Sequence, residues 1–566
     1  MWKWMLCWMS LLNAENLAAQ GFPVAISELM GDPLPSIGLP SEEYIELTNV
    51  SDKPINISGW MISNHLTQSR LPDSLVIAPG EYLLLCPGRA IDLFQEFGRC
   101  IGLRPFPVIS NAGDTILLYD NAAKLMHAVA YTPALFTTDQ ATGGWSLELV
   151  NTAYACQQTG NWAPSSNSRG GSPGMPNAQD TEWFEAVQPQ AINAWGSSDS
   201  TVRILFSAAV NQAAAERPGN YRFKEDLKAI KARIVAPFGR EVELLLNKEM
   251  KKEQIYSLTV TGMGACAEQP ATTGIEYTLS VGLADAGEKT VRINEILFDP
   301  APGGKTYVEL LHAGNGPVNL ARLQVGSRGS NGRLSRLRSL VPSTRFLYPG
   351  EYLVVSESVG WVKQQFHVKF PARLVESKAL PPLSITSGQL VLVEEDSSLL
   401  DELHYSADWH HPQLRNKKNI ALERKEITQE TQQPDNWSSA AMHAGYGTPG
   451  YQNSQSGELA GADNFFLETE GFSPDGDGIQ DICTIFYRFR QAGSLTSIRI
   501  YDRRGILKRV LVNNVISAAA GKFLWDGTDA HGHKLPSGLY LLIADTWHRS
   551  GKTKRYRMAV TLGRKY

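Results

Sequence analysis

"VAISELMGDP" runs from Val24 to Pro33 and "VRINEILFDP" from Val291 to Pro300. Set in register, they bring the residues behind them into register too. "EYIELTN" at Glu43 meets "TYVELLH" at Thr306, "APGEYLLLC" meets "YPGEYLVVS", "NAGDTILLYD" meets "TSGQLVLVEE", and "GWSLELV" meets "NIALERK". The correspondence closes on two loops, "NWAPSSNSRGGSPGMPN" (161–177) and "NWSSAAMHAGYGTPGYQN" (436–453). The offset drifts from 267 at Glu28/Glu295 to 270 at Gly80/Gly350 and 275 at Trp162/Trp437, as expected when surface loops change length while strands persist. A repeat of this kind marks a duplicated domain.

Within each copy the runs are short, either continuously apolar or alternating, and are separated by Pro-Gly, Asn-Gly-like or Ser-Gly punctuation, the pattern of an antiparallel sandwich. Between the copies, "TVRILFS", "REVELLL", "QIYSLTV" and "IEYTLSV" alternate in the same way and predict a smaller sandwich over residues 181–285. Behind the second copy, the Ser/Gly/Gln-rich residues 454–462 read as a linker to a last strand-rich module over 463–566. The expected fold class is all-β, a tandem array with boundaries at 21–180, 181–285, 286–453 and 463–566. A chain of 566 residues supports several such cores, and its 49 Gly and 31 Pro suit many turns.

Residues 1–20 place Lys3 before a short apolar run and finish on Ala18 and Ala19, which predicts a secretory signal peptide. No later stretch approaches eighteen apolar residues, so no transmembrane segment is expected. The net charge of −4 argues against nucleic acid as a partner, although from residue 459 onward 16 Lys and Arg face 10 Asp and Glu. Behind the expected leader five cysteines remain, scattered over four regions, which is neither a disulfide framework nor a zinc spacing. A Cys86–Cys100 bridge and buried free thiols are both open readings.

Glu28 and Glu46, repeated as Glu295 and Glu309, are candidate acid/base carboxylates. Their duplication inside strand-like runs favours a structural task, anchoring a loop or lining a strand face. His404, His410 and His411 cluster in sequence, and His531 and His533 form a His-Gly-His, but neither set has a metal-ligand spacing, and the second reads as a solvated turn. In "FSPDGDGIQD", Asp475, Asp477 and Asp481 stand at positions one, three and seven of an acidic loop, a candidate calcium site that departs from the EF-hand pattern and also makes a tight turn. No nucleophile elbow, phosphate-binding loop or dinucleotide fingerprint occurs, so no catalytic or cofactor-binding residue is assigned. Trp60, Trp145, Trp162, Trp409, Trp437 and Trp525 are candidates for a sugar platform; recurrence of Trp162 as Trp437 argues for packing at that pair.

On "ISELM-x-DP", "EYIEL", "INISGW", "PGEY", "GWSLE", "NW" and "GSPG-x-x-N", both repeats resemble the bacterial lamin tail domain. The second departs where Leu323 replaces Trp60, Gln389 replaces Asp114 and "NIALER" replaces the Gly-Gly-Trp lead. The resemblance implies immunoglobulin-like sandwiches without a catalytic centre. The middle segment is weakly similar to surface-layer-type immunoglobulin-like domains. On "FSPDGDGIQD", "IRIYDRRG", "WDGTD" and "LPSGLYLL", the last module resembles flagellar hook-capping immunoglobulin-like domains and the sorting domains of type IX secretion cargo. The expectation is a secreted, non-enzymatic surface protein acting in adhesion, presentation or envelope assembly, with protein or glycan partners and a route through the type IX machinery. The alternatives are an accessory part of an extracellular hydrolase and a carbohydrate-binding module.

Overall fold

The computed structural model describes residues 22–564 apart from 138, 182, 268–274, 284–289, 330, 342, 415 and 458; the expected leader lies outside the described residues. The chain forms two compact units, one up to residue 283 and one from residue 284. The described helices are short, seven residues at most, and strands make the architecture.

In the first unit a six-stranded sheet runs in the order Trp162–Pro164, Leu147–Leu149, Val24–Met30, Tyr44–Asn49, Tyr82–Pro87, Cys100–Leu103. A four-stranded sheet runs Leu125–Tyr131, Asp114–Tyr119, Met61–Ser63, Gln68–Arg70. Ile26, Leu47 and Leu83 from one and Ile62, Ile116 and Val129 from the other share a single core. Toward its end Asp114–Tyr119 alternates between buried and half-buried positions, as a sheet with one wet face must, yet Val24–Met30 and Tyr44–Asn49 are buried at every position. A bulge between Ile26 and Glu28 sends Glu28 and Met30 away from the core. That outer face is covered in part by the helix Ile91–Phe94, where Phe94 packs with Met30, Tyr44 and Leu84.

The first unit also holds a smaller sandwich. Its four-stranded sheet is ordered Ala191–Ser198, Thr201–Phe206, Glu241–Leu246, Ala229–Val235, and its three-stranded sheet Tyr221–Phe223, Tyr256–Thr261, Glu276–Val281. Strict alternation in Thr201–Phe206 and Tyr256–Thr261 delivers Val202, Ile204, Phe206, Leu258 and Val260 to its core. A disulfide joins Cys156 beside the first sandwich to Cys266 beside this one. The sequence left the pairing of the cysteines open, and partners 110 residues apart leave no local spacing to recognise.

In the second unit the sheet Leu374–Glu376, Tyr352–Ser356, Tyr307–His312, Val291–Leu297, Leu422–Arg424, Trp437–Ser439 has the strand order of the first six-stranded sheet, and Leu334–Ser339, Leu323–Arg328, Ser387–Glu394, Leu399–Ser406 faces it. Leu323 fills the core where Trp60 stands in the first copy. The last module pairs a five-stranded sheet built on Ser494–Asp502, Gly538–Trp547 and Thr553–Leu562 with a three-stranded sheet centred on Cys483–Arg488. Trp525 is fully buried there against Phe472 and Tyr540. Leu414, Ile420 and Ala441 of the second sandwich and Leu495, Ile516 and Ala518 of the last module form one apolar cluster, so the two are docked.

Candidate functional site

Strand register places three glutamates side by side on the outer face of the first six-stranded sheet. Glu28 faces Glu46 on one neighbour and Glu148 on the other, and all three are buried. Like charges placed so closely repel, and among the described residues no Lys or Arg pairs with them. Their partners are the repeated exit loop and nearby hydroxyls. The Ser172 amide donates to Glu28 at 2.8 Å, the Ser172 hydroxyl to Glu148 at 2.6 Å, the Gly174 amide to Glu46 at 2.6 Å and the Gln179 amide to Glu148 at 2.8 Å. Tyr44 and Ser146 add hydroxyl donors to Glu28, and Ser27 adds one to Glu46. Asn177 completes the closure by donating to the carbonyls of Ser27 and Leu149.

The second copy repeats the arrangement. Glu295 faces Glu309 and Glu423, Thr448 replaces Ser172, and the amides of Thr448, Gly450 and Gln455 reach the three carboxylates. The Thr448 hydroxyl lies 2.9 Å from both Glu295 and Glu423. One hydroxyl has one proton to give, so the second contact needs a proton on a carboxyl. Burial, reinforced by the neighbouring carboxylate, pushes Glu295 up to about 8 against the pull of its hydrogen bonds, and burial pushes Glu423 up to about 7. Glu28 is likewise raised to about 7, and Glu46 and Glu309 are held well above their ordinary range for the same reason. This is a latch that binds an outgoing loop to the first strand of its own sandwich, so the duplicated pair Glu28 and Glu46 anchors a loop. Glu148 and Glu423, the third member in each copy, were not singled out in the sequence, although both sit in the quoted "WSLELV" and "IALERK". Ser454 and Gln455, placed in the expected linker, bond to Glu423.

Asp475, Asp477 and Asp481 do converge, each offering a carboxylate oxygen within 4.8 Å of the others. Asp481 already accepts the amides of Gly476 and Gly478 at 2.7 and 2.8 Å, and Asp477 accepts that of Ile479. His531 and His533 are exposed in a turn held by the Asp529 carboxylate. His410 and His411 are buried, and burial lowers them to about 3 and about 4, whereas His404 lies exposed beside Gln389 and Glu402. Trp60, Trp162 and Trp437 belong to the two sandwich cores, and Trp437 donates its indole N–H to the Thr431 carbonyl.

A polar cleft of about 570 Å³ opens where the last module meets the second sandwich. Lys425, Asn436 and Gln455 line it from the sandwich, and Gln491, His548 and Arg549 from the module. Arg549 donates to the carbonyls of Trp409 and Trp437, and Lys425 to that of Asp435. Burial and the positive charge of Arg549 hold Lys425 below its usual range, and Lys425 in turn helps depress His548. Among the described residues the amide of Gln455, 1% exposed, meets no hydrogen-bond partner at either Oε1 or Nε2. Glu426 and Asp435 line it too, so the cleft gathers charges of both signs and an unsatisfied amide, a lining suited to a hydrophilic ligand that brings acceptors and donors of its own. Sequence reasoning missed it because its walls come from two separate domains, residues 411–457 of the sandwich and 491–550 of the last module.

Among the described residues no helix is long and apolar enough to cross a membrane. No curated protein matches the chain. Solved structures similar to it include the S-layer protein rSbsC, at 8% identity and TM-score 0.16 over 67% of this chain and 54% of that one. A DUF4876 family protein from Bacteroides thetaiotaomicron matches at 11% identity and TM-score 0.17, over 38% and 86% of the two chains. A tetra-tandem repeat from the extending region of a large adhesion protein matches at 10% identity and TM-score 0.14, over 95% and 98%. The chain spans about half the length of the S-layer structure it matches. The family model of the Lamin Tail Domain matches residues 18–133, and that of the CHU_C Type IX secretion signal domain matches residues 467–562. The protein carries a lamin tail domain and a type IX secretion signal domain, neither of them a catalytic type, and this fits a secreted modular surface protein.

Proposed function

We propose that the protein is a non-enzymatic adhesion or presentation module of the cell surface, and that the cleft lined by Lys425, Gln455 and Arg549 is where it contacts a glycan partner. The observation that supports this reading most is the buried, unsatisfied Gln455 amide at the wall of a cleft wide enough for one or two sugar rings. Export through the type IX machinery is supported by the match at residues 467–562. The full mature chain is expected to be recovered on the cell surface or in the medium, to bind acidic glycans on an array, and to lose at least about tenfold in affinity in Lys425→Met. A chain confined to the cytoplasm, or an array signal unchanged in that variant, removes this reading.

For the loop Asp475, Asp477 and Asp481 the proposed ligand is calcium, supported by three converging carboxylates, one of them pre-oriented by two backbone amides. Calcium held several-fold above its dissociation constant should stabilise the last module by about 1 kcal/mol. Melting curves that coincide in calcium and in chelator exclude the ion.

A further inference from the structure

We propose that Cys86 and Cys100 form a modification site, oxidised in the exported protein to a second disulfide of the first sandwich. This goes beyond the surface role proposed above and rests only on its export, not on its ligand. The two thiols lie on parallel neighbouring strands, where Leu84 faces Cys100 and Cys86 faces Gly102. Their sulfurs are 3.3 Å apart. A disulfide needs about 2.05 Å, a closure of about 1.3 Å that side-chain rotation supplies. Cys156 and Cys266 are already bonded in the same unit, so the fold is compatible with an oxidising compartment. Export by the type IX route leads to such a compartment.

The second copy shows what the pair replaces. At the register positions of Cys86 and Cys100 it carries Ser356 and Leu374. Both thiols are absent there together, as expected if neither has a task alone. The segment between the cysteines is a wall for the latch: Gly174 passes so close to the Phe97 carbonyl that a side chain at 174 has no room, and Arg169 stacks over the Phe97 ring at 4.8 Å. In the second copy Arg373 ties the corresponding wall to the latch directly, donating to the Gly450 carbonyl at 2.7 Å while lying over Phe370. Among the described residues the first copy joins loop to wall through the Arg169–Phe97 stack and not through a hydrogen bond of this kind, and a covalent link between the ends of 86–100 would hold that wall as well.

Exposure sets the order of the chemistry. Cys100 is half-buried and Cys86 fully buried, so an external disulfide such as oxidised glutathione reaches Cys100 first. The Cys100 thiolate attacks one glutathione sulfur and expels a glutathione thiolate, leaving a mixed disulfide. Cys86, whose sulfur lies 3.3 Å from that of Cys100 in the dithiol, then gives up its proton and attacks the Cys100 sulfur, expelling the second glutathione thiolate. The two cysteine thiols lose two protons and two electrons, and one glutathione disulfide becomes two thiols.

The test is made on the full mature chain, equilibrated with oxidised glutathione, denatured, alkylated without reduction and digested. Mass spectrometry should find Cys86 joined to Cys100, two hydrogens lighter than the separate peptides, with Cys483 the alkylated residue. The double variant Cys86→Ser/Cys100→Leu, which installs the second copy's residues, should fold and raise the accessibility of 87–99 to protease several-fold relative to the oxidised chain. Alkylated Cys86 and Cys100 after that treatment, whatever the state of Cys156 and Cys266, overturn the assignment. Equal protease accessibility in oxidised chain and double variant overturns the role given to the link.

Discussion

The first sandwich caps the bulged amide of Ile26 with an imidazole, and the second caps the equivalent amide of Ile293 with a carboxylate. His127 accepts from Ile26 through Nδ1 at 3.0 Å, so its proton sits on Nε2, which donates to the Ala155 carbonyl. Asp401 accepts from Ile293 at 2.8 Å, and its charge is met by Arg424, whose side chain is fully buried, and by the Thr431 hydroxyl. In the first copy Leu149 and Cys156 stand where Arg424 and Thr431 stand in the second. A neutral cap asks for apolar company and a charged cap asks for a counter-ion, so one change at the cap carried two others with it. What is preserved between the copies is the satisfaction of one strand amide, and the residue types are free to change in concert.

Removing the cap should separate the two copies most. Asp401→Ala leaves Arg424 buried and uncompensated and is expected to cost about 3–5 kcal/mol. His127→Ala leaves a neutral amide without its acceptor and is expected to cost about 1–3 kcal/mol. Hydrogen exchange at the amides of Ile293 and Ile26, followed by mass spectrometry, reads the two losses separately. Equal losses break the comparison, because they would mean that the charge of the second cap carries no energetic consequence.

A smaller effect, of opposite sign in the two halves of the pH scale, sharpens it. Burial lowers His127 to about 4, below its unfolded value, so its contribution is present above about pH 6.5 and is lost as pH falls toward 4. Glu295 and Glu423 are raised, to about 8 and about 7, so their contribution is complete below about pH 4.5 and is lost as pH rises through 7 to 8. Glu28 brings the same alkaline loss to the first copy, so both sandwiches are squeezed from both sides, the first on its acid side by the cap histidine and the second by His410 and His411, which burial lowers to about 3 and about 4. Urea midpoints across pH 4 to 9 for wild type and His127→Gln test this. The acid limb should shrink in His127→Gln without vanishing, since His410 and His411 remain, and a limb unchanged in that variant removes His127 from it.

Strand content, the duplication and a structural task for Glu28 and Glu46 were legible in the sequence because each is written twice, but the choice between anchoring a loop and lining a strand face was not. Glu148 and Glu423 were just as visible and went unremarked, since one carboxylate in an alternating run looks like an ordinary wet strand face. Only the loop that returns from Ser172 or Thr448 turns that face into an interior. The Cys156–Cys266 bridge and the Lys425–Gln455–Arg549 cleft were illegible for a related reason. Their residues come from elements that sequence keeps far apart, and no local spacing records which surfaces will meet.

The latch also fixes how each sandwich would carry tension. The strand that begins the first sandwich and the loop that leaves it are fastened to one another through Glu28 and Ser172, 144 residues apart along the chain. A pull applied across that sandwich would therefore run along a short path of carboxylate–amide bonds at its rim, and the interior would be spared until they part. The second sandwich repeats the rim through Glu295 and Thr448, so a pull along the chain would meet the same short path twice.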